Sequence, residues 1–381
     1  MNVNVIVIFI CFLISGFFHQ GLYILFPLLV LYYISYHKGL KLKLNPVTKI
    51  YLYISLITLI FFGLQSIFYF DIKIFSIKGC LRYFAYFSFA VFASYMSKKN
   101  IKYFFVVLVG YFILTIPLGY FQFVNLGRYH NILGHSNHLA YVLSMVIYFL
   151  VFNRPFKSKK INIICITLLF LSLILTKSSG GLLVLLALLG FNGIVSNRIS
   201  LSNKIIFLTV PIILAISVIN FSEKIAFQLE SITFLNWEFI EDRATQFTID
   251  GVNRAGGYGS FVWRIIYWSA IIYEFFSESV FKIIFGLGVD HLTQGNMPYE
   301  FMQQDPHNDF VKALLEFGVI GLLFFIYFFR KVYNVVKKNF NIIIIMFVPM
   351  FFGNPMVNYS VSMTLILILM YEYKKVNTEV D

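Results

Sequence analysis

The chain has 381 residues, of which 59% are hydrophobic and only 12% charged, with a mean hydropathy of +0.81. A typical soluble domain is roughly a quarter charged, and one with 46 Phe and 25 Tyr would expose apolar patches that water does not tolerate. A soluble globular protein is excluded, and so is nucleic-acid binding: the net charge of +13 lies in short basic clusters between apolar runs, the pattern of cytoplasmic loops in a polytopic membrane protein.

A membrane helix needs about 20 apolar residues. In chain order, the apolar runs predict spans at 3–18, 21–36, 50–68, 79–97, 103–121, 138–152, 161–176, 179–195, 205–220, 309–329, 340–353 and 358–371. The first run lacks a basic leader and is followed at once by the second, so it reads as a true span and not a cleavable signal. The short pieces around 353–358 also fit a re-entrant pair. Cys11, Cys80 and Cys165 all fall in predicted spans, which argues against a disulfide framework or a cysteine metal site. With the N-terminus inside, 19 of the 30 basic residues but only three of the 17 acidic ones (Glu372, Glu379 and Asp381) fall on the cytoplasmic side. That asymmetry predicts an even number of spans and two cytoplasmic termini.

Three regions follow: an N-terminal bundle of about nine helices over 1–220, an extracytoplasmic loop over 221–308, and about three helices with a short tail over 309–381. The loop carries 11 acidic and 5 basic residues. Its most polar stretch is 221–255, followed by a Gly-Gly-Tyr-Gly-Ser break at 256–260. An aromatic, amphipathic helix over 261–276 comes next, with Trp263, Arg264, Tyr267 and Trp268. Its shortness and its Trp and Tyr suit the headgroup layer, so the loop reads as a membrane-facing lid. A second apolar piece, 280–287, runs into Gly286 and Gly288.

Chemistry is expected where polar residues gather at the outer face. One cluster holds Arg128, His130, His135, Ser136, Asn137 and His138; another holds Asp305, His307, Asn308 and Asp309; a third is the turn Lys177-Ser178-Ser179-Gly180-Gly181. Each also has a plain reading: Ser136 and Asn137 as caps of the sixth span, the glycines as packing residues, Arg264 as a snorkelling anchor, Asp309 as a first-turn acid. The spacing of His130, His135 and His138 matches no recognised zinc pattern, so no metal is expected. An imidazole flanked by carboxylates suits acid–base work, because a carboxylate can fix its tautomer and raise its basicity. The spans themselves are read as nearly free of charge, Glu316 excepted, which argues against a transporter such as a lipid-linked oligosaccharide flippase. A histidine base and cationic side chains beside the bilayer fit a transferase that takes its donor from a pyrophosphate-linked lipid without a metal.

At these residues the sequence resembles the O-antigen polymerase and O-antigen ligase superfamily. An arginine followed by a Gly-x-x-Asn-x-x-Ala turn is similar to Arg128 with Gly134, Asn137 and Ala140. The Ser-Arg-Gly-Gly-like turn resembles Ser178-Ser179-Gly180-Gly181, with Ser179 where arginine is usual and Lys177 as a substitute charge. Arg-x-x-x-Trp resembles Arg264 to Trp268, followed by Gly286 and Gly288. The His-Asn-x-aromatic signature with Glu-x-Gly-x-x-Gly resembles His307 to Phe310 with Glu316, Gly318 and Gly321.

The resemblance implies an all-α polytopic inner-membrane glycosyltransferase, similar to the membrane-embedded GT-C class, of about 12 helices with its active site on the periplasmic face. It implies Arg128 and Arg264 as pyrophosphate ligands and His307 as activator of the acceptor hydroxyl. It further implies Lys177, Asn137, His135, Trp268, Asn308 and Asp305 as residues lining the substrate, and Gly318 and Gly321 as packing residues. It also implies an undecaprenyl-pyrophosphate-linked oligosaccharide as substrate, no cofactor, and a chain-length regulator and flippase as pathway partners. The Phe-, Tyr- and Ile-rich, Lys-over-Arg composition resembles that of serotype-specific glycan gene clusters, which favours polymerase over ligase; a non-catalytic lipid-binding scaffold is a further reading.

Overall fold

The computed structural model describes residues 3–17, 21–36, 44–69, 74–195, 260–294, 305–337 and 339–377. The expected ninth span at 205–220, the polar stretch 221–255 and most of the glycine-rich break lie outside the described residues. Among the described residues the chain is helical, with no strand.

The N-terminal bundle comprises α1 (Val3–Phe17), α2 (Leu22–Tyr36), α3 (Pro46–Tyr69), α4 (Ile74–Tyr95), α5 (Lys98–Leu114), α6 (Ile116–Leu126), α7 (Ser136–Asn153), α8 (Lys159–Leu175) and α9 (Ser179–Val195). The loop contributes α10 (Ser260–Phe276) and the short α11 (Val280–Phe285), and the C-terminal part is α12 (Asp309–Val335), α13 (Phe340–Phe352) and α14 (Tyr359–Asn377). By length and composition, Pro46–Phe68, Ser136–Asn153 and Asp309–Val335 are each able to cross a bilayer, and α1, α9 and α13 contain shorter apolar helices. The centre is built on α7 and α14, which pack on each other and are buried along most of their lengths. Phe105 of α5 stacks on Phe149 of α7 with ring centroids 4.0 Å apart.

Two expected spans are not continuous helices. The run at 103–121 is split at Thr115 into α5 and α6, bent by 48°. The cause is local: Pro117, in the first turn of α6, has no N–H to donate, and its ring would clash with the carbonyl four residues back. Inside α12, Gly318 adopts φ 68° and ψ −169°, a conformation open essentially only to glycine. The break exposes carbonyls that the helix would otherwise use. Leu315 O accepts from Leu287 N at 2.7 Å, and Glu316 O accepts from Gln65 Nε2 at 2.7 Å. Gly318 thus does more than pack: it opens α12 so that α11 and the Gly286–Gly288 strap can dock.

The expectation of nearly charge-free spans is also corrected. Arg82 on α4 is buried, as are Lys312 and Glu316 on α12. They are tolerated because they are paired with one another and with Asp290.

Helix α10 is amphipathic, as its sequence indicates. Tyr267, Ala270, Ile271 and Phe275 are buried against Val311, Leu314 and Leu315 of α12 and against Leu287 and Leu292, while Tyr273 and Phe276 are exposed.

Candidate active site

The first polar cluster is a loop shaped by left-handed residues, Gly127 (φ 73°), Asn131 (φ 51°) and Gly134 (φ 70°). Gln122 Oε1 accepts the backbone N–H groups of both His130 and Asn131, and Tyr129 N donates to Leu175 O, so the loop is tied to the end of α8. Arg128 is thereby fixed at the α8–α9 turn. Its Nε donates to Thr176 O at 3.1 Å, and its Nη2 donates to Lys177 O and to Asn137 Oδ1, both at 3.3 Å. These three acceptors are neutral, so they orient the guanidinium without cancelling its charge. Burial, and then the nearby charge of Arg264, lower the Arg128 pKa. The two arginines, 136 residues apart in sequence, therefore share one neighbourhood, with Arg264 buried on α10.

The cap of α7 is His135, not Ser136 or Asn137: its Nδ1 accepts the N–H of Asn137 at 3.2 Å. Asn137 is left to accept from Arg128. The His135 ring lies 4.7 Å from that of His138. His138 is held on both sides, with Nδ1 2.9 Å from Asn358 Nδ2 and Nε2 3.4 Å from Asn354 Oδ1. Lys177 has a left-handed backbone, and its ammonium sits 4.8 Å from the centre of the Phe123 ring.

The second cluster forms a tight turn into α12. Asn308 is the N-cap, its Oδ1 accepting from Phe310 N at 2.9 Å and Val311 N at 3.1 Å. His307 has φ 50°, and its backbone N–H donates to Asp305 Oδ1 at 2.9 Å. The neighbouring carboxylates act on His307 less directly than the sequence suggests. Asp305 bonds its backbone N–H, and Asp309 Oδ2 accepts from Met356 N at 3.2 Å. The side chain of Asn354 hydrogen-bonds His307 as well as His138. Burial pushes the His307 pKa down, and the charges of Arg264 and Lys312 add to this against the opposing pull of Asp305 and Asn354. The imidazole is therefore neutral at neutral pH, the form a general base needs. Trp268 Nε1 donates to Pro306 O at 2.6 Å, fastening α10 to this turn.

The structure thus brings Arg128, Asn137, His135, Arg264, His307, Asp305 and Trp268 to one end of the bundle, with Asn308 capping and the Lys177 ammonium turned to Phe123. Sequence reasoning missed Arg82, Asp290, Lys312, Asn354 and Asn358. A signal existed for two pairs: Lys312 and Glu316 are four apart at a span mouth, and Asn354 and Asn358 interrupt an apolar run. Among the described residues no group of three or more His, Cys, Asp or Glu could hold a metal ion.

A chain that is helical among the described residues, with long apolar helices and with polar and cationic residues gathered at helix ends, has the character of a membrane protein. Residues 163–326 match the family model described as O-antigen ligase, and this match supports assigning the chain to the superfamily of O-antigen polymerases and ligases. Members of that family are glycosyltransferase-like enzymes. The matched segment contains the Ser178–Gly181 turn, Arg264, Gly286, Gly288 and His307 through Gly321, whereas Arg128 to Ala140 and Asn354 lie outside it. Comparison with curated proteins finds no match.

Proposed function

We propose that the chain is a surface-polysaccharide polymerase of the inner membrane, spanning it about twelve times in the manner of GT-C glycosyltransferases, with both termini cytoplasmic and the site on the periplasmic face. It transfers glycan from an undecaprenyl-pyrophosphate carrier to the non-reducing-end hydroxyl of another lipid-linked repeat unit. His307 takes the hydroxyl proton as the oxygen attacks the anomeric carbon. The bond from that carbon to the pyrophosphate oxygen breaks, and Arg128 and Arg264 receive the negative charge that develops on the leaving group. Arginine suits this task because its planar fork binds phosphate oxygens bidentately.

The observation that carries the reading is the convergence of Arg128, Arg264 and the His307 imidazole at one end of the bundle. In this reading Trp268 offers its ring to a sugar, Asn137 accepts from Arg128 and orients it, and Asp305 accepts the His307 N–H and holds its turn. The description of the matching family favours a second reading, a ligase that moves the finished polymer onto lipid A–core. Deleting the gene in its host and separating the surface glycan on a silver-stained gel decides between them. A polymerase leaves one repeat unit on lipid A–core and no ladder. A ligase leaves no attached units while lipid-linked polymer accumulates. An unchanged ladder rejects both.

A further inference from the structure

A chain of buried charges leads from Arg82 on α4 to the His307 turn. Arg82 Nη2 on α4 is 3.0 Å from Asp290 Oδ2, and Asp290 Oδ1 is 3.2 Å from Lys312 Nζ. The same ammonium reaches Glu316 Oε1 at 3.1 Å and Asp305 Oδ2 at 3.2 Å. The other oxygen of Asp305 accepts the His307 N–H at 2.9 Å. Glu316 is held in turn by Asp290 N, which donates to its Oε1 at 2.9 Å.

Stability alone does not explain this arrangement. Buried ion pairs recover their desolvation cost poorly, and apolar residues of similar volume often do as well. What the network does achieve is geometric. Asp305 is gripped on both oxygens, by Lys312 and by the backbone it must hold, and that backbone is in the left-handed region for a residue with a Cβ. Such a conformation persists only where its surroundings over-determine it.

We propose that Lys312, anchored by Asp290, Glu316 and Arg82, is a positioning residue that acts through Asp305 to hold the His307 turn. This rests on the reading of His307 as the acceptor's activator. Burial pushes the Asp305 carboxyl up, but Lys312 and the His307 N–H outweigh it and hold it below the usual carboxylate range, so the clamp is ionised at working pH. The charged and titratable groups that face His307 are Asp305 on its own turn, Lys312 on α12, Arg264 on α10, and His135 and His138 at the start of α7.

The test uses the purified full-length protein in nanodiscs, with lipid-linked repeat unit extracted from the host as substrate. Lys312→Met should lower kcat about tenfold or more with KM within about threefold, yet less than about twofold in an Asp305→Asn background, because the two act as one unit. Independent effects that multiply would overturn the proposal. Asp305→Asn keeps an oxygen for the His307 N–H and removes the anion that favours imidazolium, so the acid limb of its pH–rate profile should move to lower pH. An unmoved limb would overturn the proposal even where Lys312→Met fails to fold. His307→Ala separates the two layers. Full activity in that variant rejects the reading of His307 itself, whereas an inactive His307→Ala with an unmoved Asp305→Asn limb rejects only the clamp.

Discussion

Substituting Gly318 by alanine attacks the one point where α12 must break. An added Cβ would lie 2.2 Å from Ile284 O and 2.6 Å from Gly286 N, both backbone atoms that no side-chain rotation can clear. The backbone itself, at φ 68° and ψ −169°, costs a residue with a Cβ about 1–3 kcal/mol. Moving α11 away also weakens the bond from Leu287 N to Leu315 O and that from Gly288 N to Glu316 O, each contributing about 1 kcal/mol net. The expected loss is about 3–5 kcal/mol. Gly63→Ala is the control: it lies within α3 with nothing within 4 Å of its Cβ position, and alanine should gain about 0.5–1 kcal/mol there. Thermal unfolding of both variants in one detergent, followed by size-exclusion of the heated samples, reads the difference. Hydrogen exchange at Leu287 and Gly288 should accelerate in Gly318→Ala alone. A Gly318→Ala protein that melts with the wild type, with Leu287 still protected, would refute the docking of α11 on the broken helix.

Gln65→Leu should destabilise by about 1–3 kcal/mol, because Nε2 donates to Phe285 O at 2.9 Å and to Glu316 O at 2.7 Å; wild-type unfolding in the same assay would contradict this. Acid should weaken the fold in two stages. His307 is held below its ordinary 6.5, so the unfolded chain binds a proton that the folded site refuses, and stability declines as pH falls below that value. Asp290 and Asp305 are held below their ordinary 3.8, so their contribution is complete above that value and is lost as pH falls through their folded values. The apparent melting temperature followed downward from pH 7 checks both stages. In the His307→Ala protein the first stage should shrink while the second persists.

Much of the helical layout was legible because long apolar runs leave few alternatives. Positions 50–68, 138–152, 179–195 and 340–353 lie on α3, α7, α9 and α13 within a few residues. The breaks were harder to read. Gly318 sits two residues after Glu316 in an otherwise apolar run, and only the approach of Ile284 and Gly286 shows why the helix opens there. Pro117 was visible, but a proline near a predicted span's end reads as tolerable until the bend is seen. The motif residues Arg128, Arg264 and His307 were recognisable from local pattern. Their supports were not. Arg82 meets Asp290 across 208 residues, and Asn354 meets His138 across 216. A charge inside a span or an asparagine between two short apolar pieces carries no local mark of its partner.

The account turns on three side chains working as one site. Complementing the deletion strain with Arg128→Ala, Arg264→Ala and His307→Ala, at membrane levels matched to the wild type by immunoblot, and separating the surface glycan tests that directly. Each variant should abolish the polymer ladder, leaving a single repeat unit on lipid A–core. A normal ladder from His307→Ala or from either arginine variant, at matched protein level, would contradict it.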